Sequence, residues 1–215
     1  KERIVSEQQQ LLRVDYEEGD EINLVTLKRV LQTFQAFLPE ADVVVVQDYA
    51  KGLISQQLLD KMIAAAKKAK KPVIVDPNSK TPLSTYRGAT WIKPNKREAE
   101  TLTGIKISDP RSLREVGKYL LTQTRAKDVI ITQGKEGMAL FSQGKNRVTV
   151  IPTAAQEVYD VSGAGDTVTA VLALALVSGA TLEQSARLAN VAAGIVVGKR
   201  GTATVTAKEI LVALG

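Results

Sequence analysis

The chain has 215 residues, 44% of them hydrophobic and 24% charged, which is enough to bury a core without cross-links and excludes a disordered or fibrous chain. Twenty-nine Lys+Arg against 23 Asp+Glu leave a formal charge of +6. Cysteine and histidine are both absent, which excludes disulfides, thiolate or imidazole metal sites, a Cys nucleophile and a Ser-His-Asp triad. Acid–base chemistry is left to Asp, Glu, Lys or Tyr.

In chain order, residues 3–14 read as one or two extended segments and Asn23 to Leu38 as an amphipathic helix. Val43-Val44-Val45-Val46 is the continuous β-branched run of a strand buried on both faces. Ser55 is a natural N-cap for a helix from Gln56 to Lys71, with Leu58, Leu59, Met62, Ile63 and Ala66 at helical spacing and Pro72 as its stop. Strands follow at Val73-Ile74-Val75 and Trp91-Ile92-Lys93. A short helix runs from Lys96 to Thr103, stopped by Gly104, and another opens at Pro110 and reaches about Thr122. Val129 to Thr132 is a further strand, and Met138 to Phe141 forms a hairpin with Val148 to Ile151. Gly163-Ala164-Gly165 leads into an apolar helix from Asp166 to about Ser178. Thr181 caps the next helix, to about Gly198, and Thr206 the last.

Alternation of this kind predicts an α/β fold, a doubly wound and mostly parallel sheet with flanking helices in one domain. No charged-then-apolar leader is visible at Lys1, and no apolar run approaches the ~20 residues of a membrane helix. The longest, Ala170 to Val177, reads as buried helix. Without cysteine the chain suits a reducing cytoplasm, which is the expected location.

In open α/β sheets ligands gather at the carboxyl ends of strands. Polar clusters fall there at Asp48–Gly52, Asp76–Asn78, Lys93–Glu98 and Thr132–Gly137, and a fifth, Asp160–Asp166, precedes a helix. Gly163, Ala164 and Gly165 are small enough for close backbone approach. The helix they introduce has unpartnered N–H groups and a dipole that favours an anion such as phosphate. Asp166 reads either as a first-turn cap or as a base for an attacking hydroxyl. No P-loop and no G-x-G-x-x-G is present, which argues against a Walker ATPase and a Rossmann dinucleotide site.

Asp160-Val161-Ser162-Gly163-Ala164-Gly165-Asp166-Thr167 resembles the C-terminal signature of the ribokinase-like (PfkB) carbohydrate kinases. The resemblance implies a ribokinase-like fold, an anion hole at Gly163, Ala164 and Gly165, and Asp166 as catalytic base. Asn95-Lys96-Arg97-Glu98 is similar to the family's N-x-x-E element, which implies that Asn95 and Glu98 hold Mg²⁺-bound phosphates through water. Thr132-Gln133-Gly134-Lys135-Glu136-Gly137 is similar to the stretch that lines the ATP phosphates, which implies Thr132, Gly134 and Gly137 as nucleotide contacts. Asn190 falls where the family packs a residue near adenine.

Gln10 to Asp15 and Asp48 to Gly52 resemble the subgroup acting on D-glycero-β-D-manno-heptose 7-phosphate in ADP-heptose synthesis, with Arg13, Asp48 and Lys51 as substrate candidates. Lys51, Lys93 or Arg13 could meet the substrate's phosphate, although each taken alone reads more readily as a solvated surface charge. Val171 stands where the family usually has a small residue, often Gly. A monovalent cation, K⁺, sits beside the anion hole in some members. Asp160, the Ser162 carbonyl and carbonyls near Val196, Lys199 and Gly201 fall on that position.

The resemblance implies that the chain is the C-terminal two-thirds of a kinase domain, incomplete at its N-terminus. Residues 1–40 would be a substrate- and lid-side segment and 41–215 the ATP-binding and catalytic part. ATP, Mg²⁺ and a small sugar phosphate are the implied partners, and a homodimer stays open. Another sugar kinase of this family, or a non-catalytic nucleotide-binding fragment, are the alternatives. The +6 charge raises a nucleic-acid interface, but Lys67-Lys68-Ala69-Lys70-Lys71 ends a helix where cations suit the dipole and aromatics are few, so no nucleic acid is expected.

Overall fold

The segment read as extended at the start of the chain is a two-stranded antiparallel ribbon in the computed structural model, which describes residues 2–6, 9–16, 22–155 and 159–215. Its strands are β1 (Glu2–Ser6) and β2 (Gln9–Val14), with a register irregularity between Ile4 and Val5. Helix α1 (Leu24–Phe37) follows, capped by the Asn23 side chain accepting from the Thr26 N–H.

The main sheet has six strands in strictly sequential order. β3 (Val44–Gln47), β4 (Val73–Asp76), β5 (Trp91–Ile92) and β6 (Asp128–Thr132) run parallel. β7 (Met138–Ser142) and β8 (Thr149–Ile151) complete the sheet as antiparallel neighbours. The parallel crossovers pass through α2 (Gln56–Lys68), a short 3-10 turn (Leu83–Tyr86), and the pair α3 (Lys96–Thr103) and α4 (Pro110–Thr124). After the hairpin come α5 (Ala164–Val177), α6 (Leu182–Val197) and α7 (Ala207–Leu214).

Period-two alternation divides the strands between two cores. Val44, Val46, Val73, Val75, Ile92, Val129, Ile131, Ala139 and Phe141 face α2, α3 and α4. Ile74, Trp91, Ile130, Met138, Leu140 and Ile151 face α5 and α6. Helices on both faces make the sheet doubly wound, as the alternation of elements predicted.

Two helix ends differ from expectation. α2 stops at Lys68, three residues early, because Lys70 takes a left-handed conformation (φ 57). The Lys71 N–H then donates to Ala66 O and the Lys70 N–H to Lys67 O, a Schellman termination built without glycine. α5 begins at Ala164 and not at Asp166, since Gly163 (φ 80) occupies its N-cap. Ala164 and Gly165 are therefore the first helical residues, not a loop ahead of the helix.

Among the described residues no helix is long and apolar enough to cross a membrane.

Candidate active site

Gln47, Asp76, Lys93, Asn95 and Thr132 stand at the carboxyl ends of β3, β4, β5 and β6, and the first turn of α5 meets them there. The register pairs Gln47 directly with Asp76. Asp76 is buried, and its Oδ2 accepts from Gln47 Nε2 (2.7 Å), Lys93 Nζ (2.9 Å) and Thr169 Oγ1 (3.1 Å). Lys93 is 3% exposed, so its charge is spent on Asp76. That excludes the reading of Lys93 as a solvated surface cation and leaves it no reach toward a substrate phosphate.

Asp166 is exposed in the first turn of α5 and does not cap its own helix. Its Oδ1 accepts from Gln47 Nε2 (3.0 Å), and the Tyr49 hydroxyl lies at 3.4 Å. Burial, followed by the charge and hydrogen bond of Asp166, pushes the Tyr49 phenol up from its ordinary value. In the anion loop the Ala164 N–H donates to Val161 O (3.2 Å). Ala164 therefore serves the turn itself, and among the described residues the unpartnered N–H groups are those of Gly163, Gly165 and Asp166. The small-residue expectation holds at Gly163, where the left-handed φ favours glycine.

Asn95 and Glu98 form a reciprocal capping box at the start of α3. Asn95 Oδ1 accepts from the Glu98 N–H (2.9 Å), and Glu98 Oε2 accepts from the Asn95 N–H (2.8 Å). The same two residues that resemble a phosphate-handling motif thus nucleate a helix. Burial pushes the Glu98 carboxyl up, and the nearby Asp76 charge adds to it, against relief from the Asn95 N–H and Lys93.

Thr132 pairs with Asn95 as an isolated parallel bridge, extending the β5–β6 pairing past the end of β5. Gly134 (φ 57) and Gly137 (φ 85) bracket a 3-10 turn between β6 and β7. At Gly137 a Cβ would lie 1.9 Å from Ile151 O, so this turn is pressed onto the backbone at the end of β8. Between the turn, α5 and α6 opens a cavity of about 420 Å³, walled by Met138, Val161, Val168, Ala193 and Val197. Thr132, Gly134, Gly137, Ala164, Gly165 and Asn190 line it as well. Asn190 is buried and its amide nitrogen donates to Pro152 O (2.6 Å), which fixes the segment leading into the cavity.

Three substrate candidates fall differently. Asp48 is buried: Oδ2 accepts from Thr81 Oγ1 (2.6 Å) and the Tyr86 hydroxyl (2.7 Å), and Oδ1 from the Ala50 N–H (2.7 Å). Both oxygens accept from the chain's own donors, so Asp48 holds the loop in which it stands. Burial pushes the Tyr86 phenol far up, which keeps its proton in that bond. Lys51 is exposed on the same loop. Arg13 lies on β2, and its side chain is outside the described residues. At the place expected for K⁺, Asp160 Oδ1 accepts from the Ser162 N–H (2.8 Å), closing a local turn. Among the described residues no group of three or more Asp and Glu side chains could hold a metal by itself.

Sequence reasoning named the Asp48 and Asp76 clusters but assigned nothing to Gln47, Tyr49 or Thr169. The available signal was Gln47, an amide ending an otherwise β-branched apolar run, where a strand passes from core to edge.

The model of the pfkB family carbohydrate kinases matches residues 10–209. The bifunctional protein HldE of Geobacter sulfurreducens is 45% identical over 215 residues, which is all of this chain and 44% of the relative. HldE of a Caulobacter species is 48% identical over 212 residues, 98% of this chain and 42% of the relative. The chain thus spans under half the length of these curated relatives. Among solved structures, Arabidopsis thaliana ribokinase complexed with ribose and ATP is 27% identical with a TM-score of 0.74, covering 91% of this chain and 60% of that one. Escherichia coli phosphofructokinase-2 in complex with potassium, at 19% identity and a TM-score of 0.76, covers 90% of this chain and 62% of that one and shows the fold alone. With the matched span running from the ribbon to the final helix, the chain belongs to the pfkB family of carbohydrate kinases.

Proposed function

We propose that the protein carrying this chain transfers the γ-phosphoryl group of ATP to a hydroxyl of a sugar phosphate. The acceptor of choice is the anomeric hydroxyl of heptose 7-phosphate, giving the 1,7-bisphosphate for ADP-heptose synthesis. The acceptor rests on the resemblance of residues 10–15 and 48–52 to that subgroup. The observation that carries the reading is the position of Asp166. It lies in the first turn of a helix with three N–H groups that have no partner among the described residues, beside an apolar cavity of about 420 Å³ and over the carboxyl end of β3.

The cavity suits a nucleotide base, with the phosphates led along the turn of Gly134 to Gly137 toward the start of α5. Asp166 takes the proton of the acceptor hydroxyl as its oxygen bonds the γ-phosphorus. The bond from that phosphorus to the bridging oxygen breaks, and ADP leaves. The N–H groups of Gly163, Gly165 and Asp166 hold the charge that gathers on the moving phosphoryl oxygens. Because the transition state is loose, positioning matters more than base strength, and a carboxylate at a helix N-terminus is adequate. Glu98 and Asp76 each keep one oxygen that accepts no hydrogen bond from the described residues, which fits a Mg²⁺ held through its waters. When bound, Mg²⁺ supplies neutralisation of the phosphate charge.

A panel of sugar phosphates with ATP consumption as readout tests the activity. Asp166→Asn is expected to lower kcat by about 10²–10⁴-fold with ATP affinity retained, and undiminished turnover refutes the base.

A further inference from the structure

We infer that Gln47 is a positioning residue that ties the Asp166 carboxylate to the buried Asp76–Lys93 pair, so that the proton acceptor is set by the sheet and not by its own helix. The inference rests on the kinase reading above and adds to it a residue that the family motifs do not include.

Gln47 Nε2 lies 2.7 Å from Asp76 Oδ2 and 3.0 Å from Asp166 Oδ1. An amide nitrogen has two hydrogens, and a carboxylate only accepts, so the nitrogen must face both acids and each hydrogen serves one. The carbonyl end of the amide would repel both. Gln47 thereby sits between two carboxylates that would otherwise face each other without a donor between them.

The far end of the bridge is rigid. Asp76 is buried in β4 and compensated by Lys93 at the end of β5, and neither can turn without leaving a charge unpaired in the core. Thr169, one turn beyond Asp166 on α5, donates to the same Asp76 oxygen. The start of α5 is thus pinned to one strand-end acid at two points, through Thr169 directly and through Gln47 to Asp166. With Oδ1 occupied by Gln47, Asp166 is left to present its second oxygen to an acceptor hydroxyl.

Two measurements on the intact protein judge this. The first is a thermal-unfolding cycle of Gln47→Leu, Asp166→Ala and the double variant. With Gln47 present, removing Asp166 breaks a compensated contact and lowers the melting temperature. In the Gln47→Leu background Asp166 has lost its link to Asp76 and keeps the Tyr49 hydroxyl at 3.4 Å, so removing it lowers the melting temperature less, or raises it. A cycle that closes additively overturns the inference whether or not the protein phosphorylates a sugar.

The second measurement is kinetic. Gln47→Leu is expected to lower kcat about 10- to 100-fold, the cost of a misplaced catalytic group, with KM for ATP within about two-fold. Gln47→Asn, one methylene too short to span both acids, should not restore the rate. In an Asp166→Asn background Gln47→Leu should have no further effect on the residual rate. Full kcat in Gln47→Leu, in a protein whose Asp166→Asn variant is inactive, overturns the positioning role and leaves the kinase reading standing. A wild-type protein that turns over no sugar phosphate sinks the kinase reading, while the unfolding cycle still decides the Gln47 contact.

Discussion

Replacing Lys93 by methionine keeps the stem of the side chain and removes only its ammonium, which lies 2.9 Å from Asp76 Oδ2 with the two side chains 3% and 9% exposed. Deleting one member of a buried pair costs about 3–5 kcal/mol, because the other is left charged in the interior. Asp76 keeps Gln47 and Thr169 as donors on the same oxygen, so the lower end, about 3 kcal/mol, is expected. For a chain of this size that is a fall in melting temperature of roughly 6–12 °C. Circular dichroism gives the midpoint, and Trp91, the chain's single and buried tryptophan, reports independently by fluorescence. The further variant Lys93→Met with Asp76→Leu should recover most of the loss. Gln47 then retains Asp166, Thr169 retains Gly165 O, and no buried group is orphaned. An exposed pair contributes about 0–1 kcal/mol. A fall under about 3 °C for Lys93→Met, or a double variant weaker than the single one, refutes the burial argument.

Glu98 gives a pH test. Burial and Asp76 raise its carboxyl, so the stability it contributes is present below its unfolded value and is lost as pH rises through the folded one. Glu98→Gln should melt with the wild type near about pH 4 and above it near about pH 8, while turnover with Mg²⁺ and ATP falls. Equal melting at both values refutes the direction. Gly137→Ala should cost about 2–3 kcal/mol, since its φ of 85° is strained and its Cβ meets Ile151 O at 1.9 Å. Gly134→Ala, with open space at φ 57°, should cost only about 1 kcal/mol, and chemical unfolding of the pair separates backbone approach from backbone conformation.

The order and type of the main elements were legible because β-branched runs, Ser and Thr caps and a few prolines mark them in the sequence. Ser55 caps α2 and Thr181 caps α6, each where the spacing placed it. What escaped had no local signature. Lys70 ends α2 in a conformation that composition assigns to glycine, and the 3-10 turn at Leu83–Tyr86 is held by Tyr86 reaching Asp48, a partner 38 positions away. In the site, the strand-end clusters were readable from chain position alone. Their division into inward and outward carboxylates was not. Asp48, Asp76 and Asp166 look alike in sequence, and only packing shows that the first holds a loop, the second neutralises a lysine and the third is exposed.

Asp48 and Tyr49 are neighbours with opposite fates, one sealed beneath the loop by Thr81, Tyr86 and Ala50, the other 57% exposed above it. A loop anchored from below in this way can exchange its outer side chains without loosening its frame. Variation at position 49 would change what faces Asp166 at little cost to folding. Variation at position 48 would unfasten two strand-end loops together, so change has an open route through one residue and a closed one through the next.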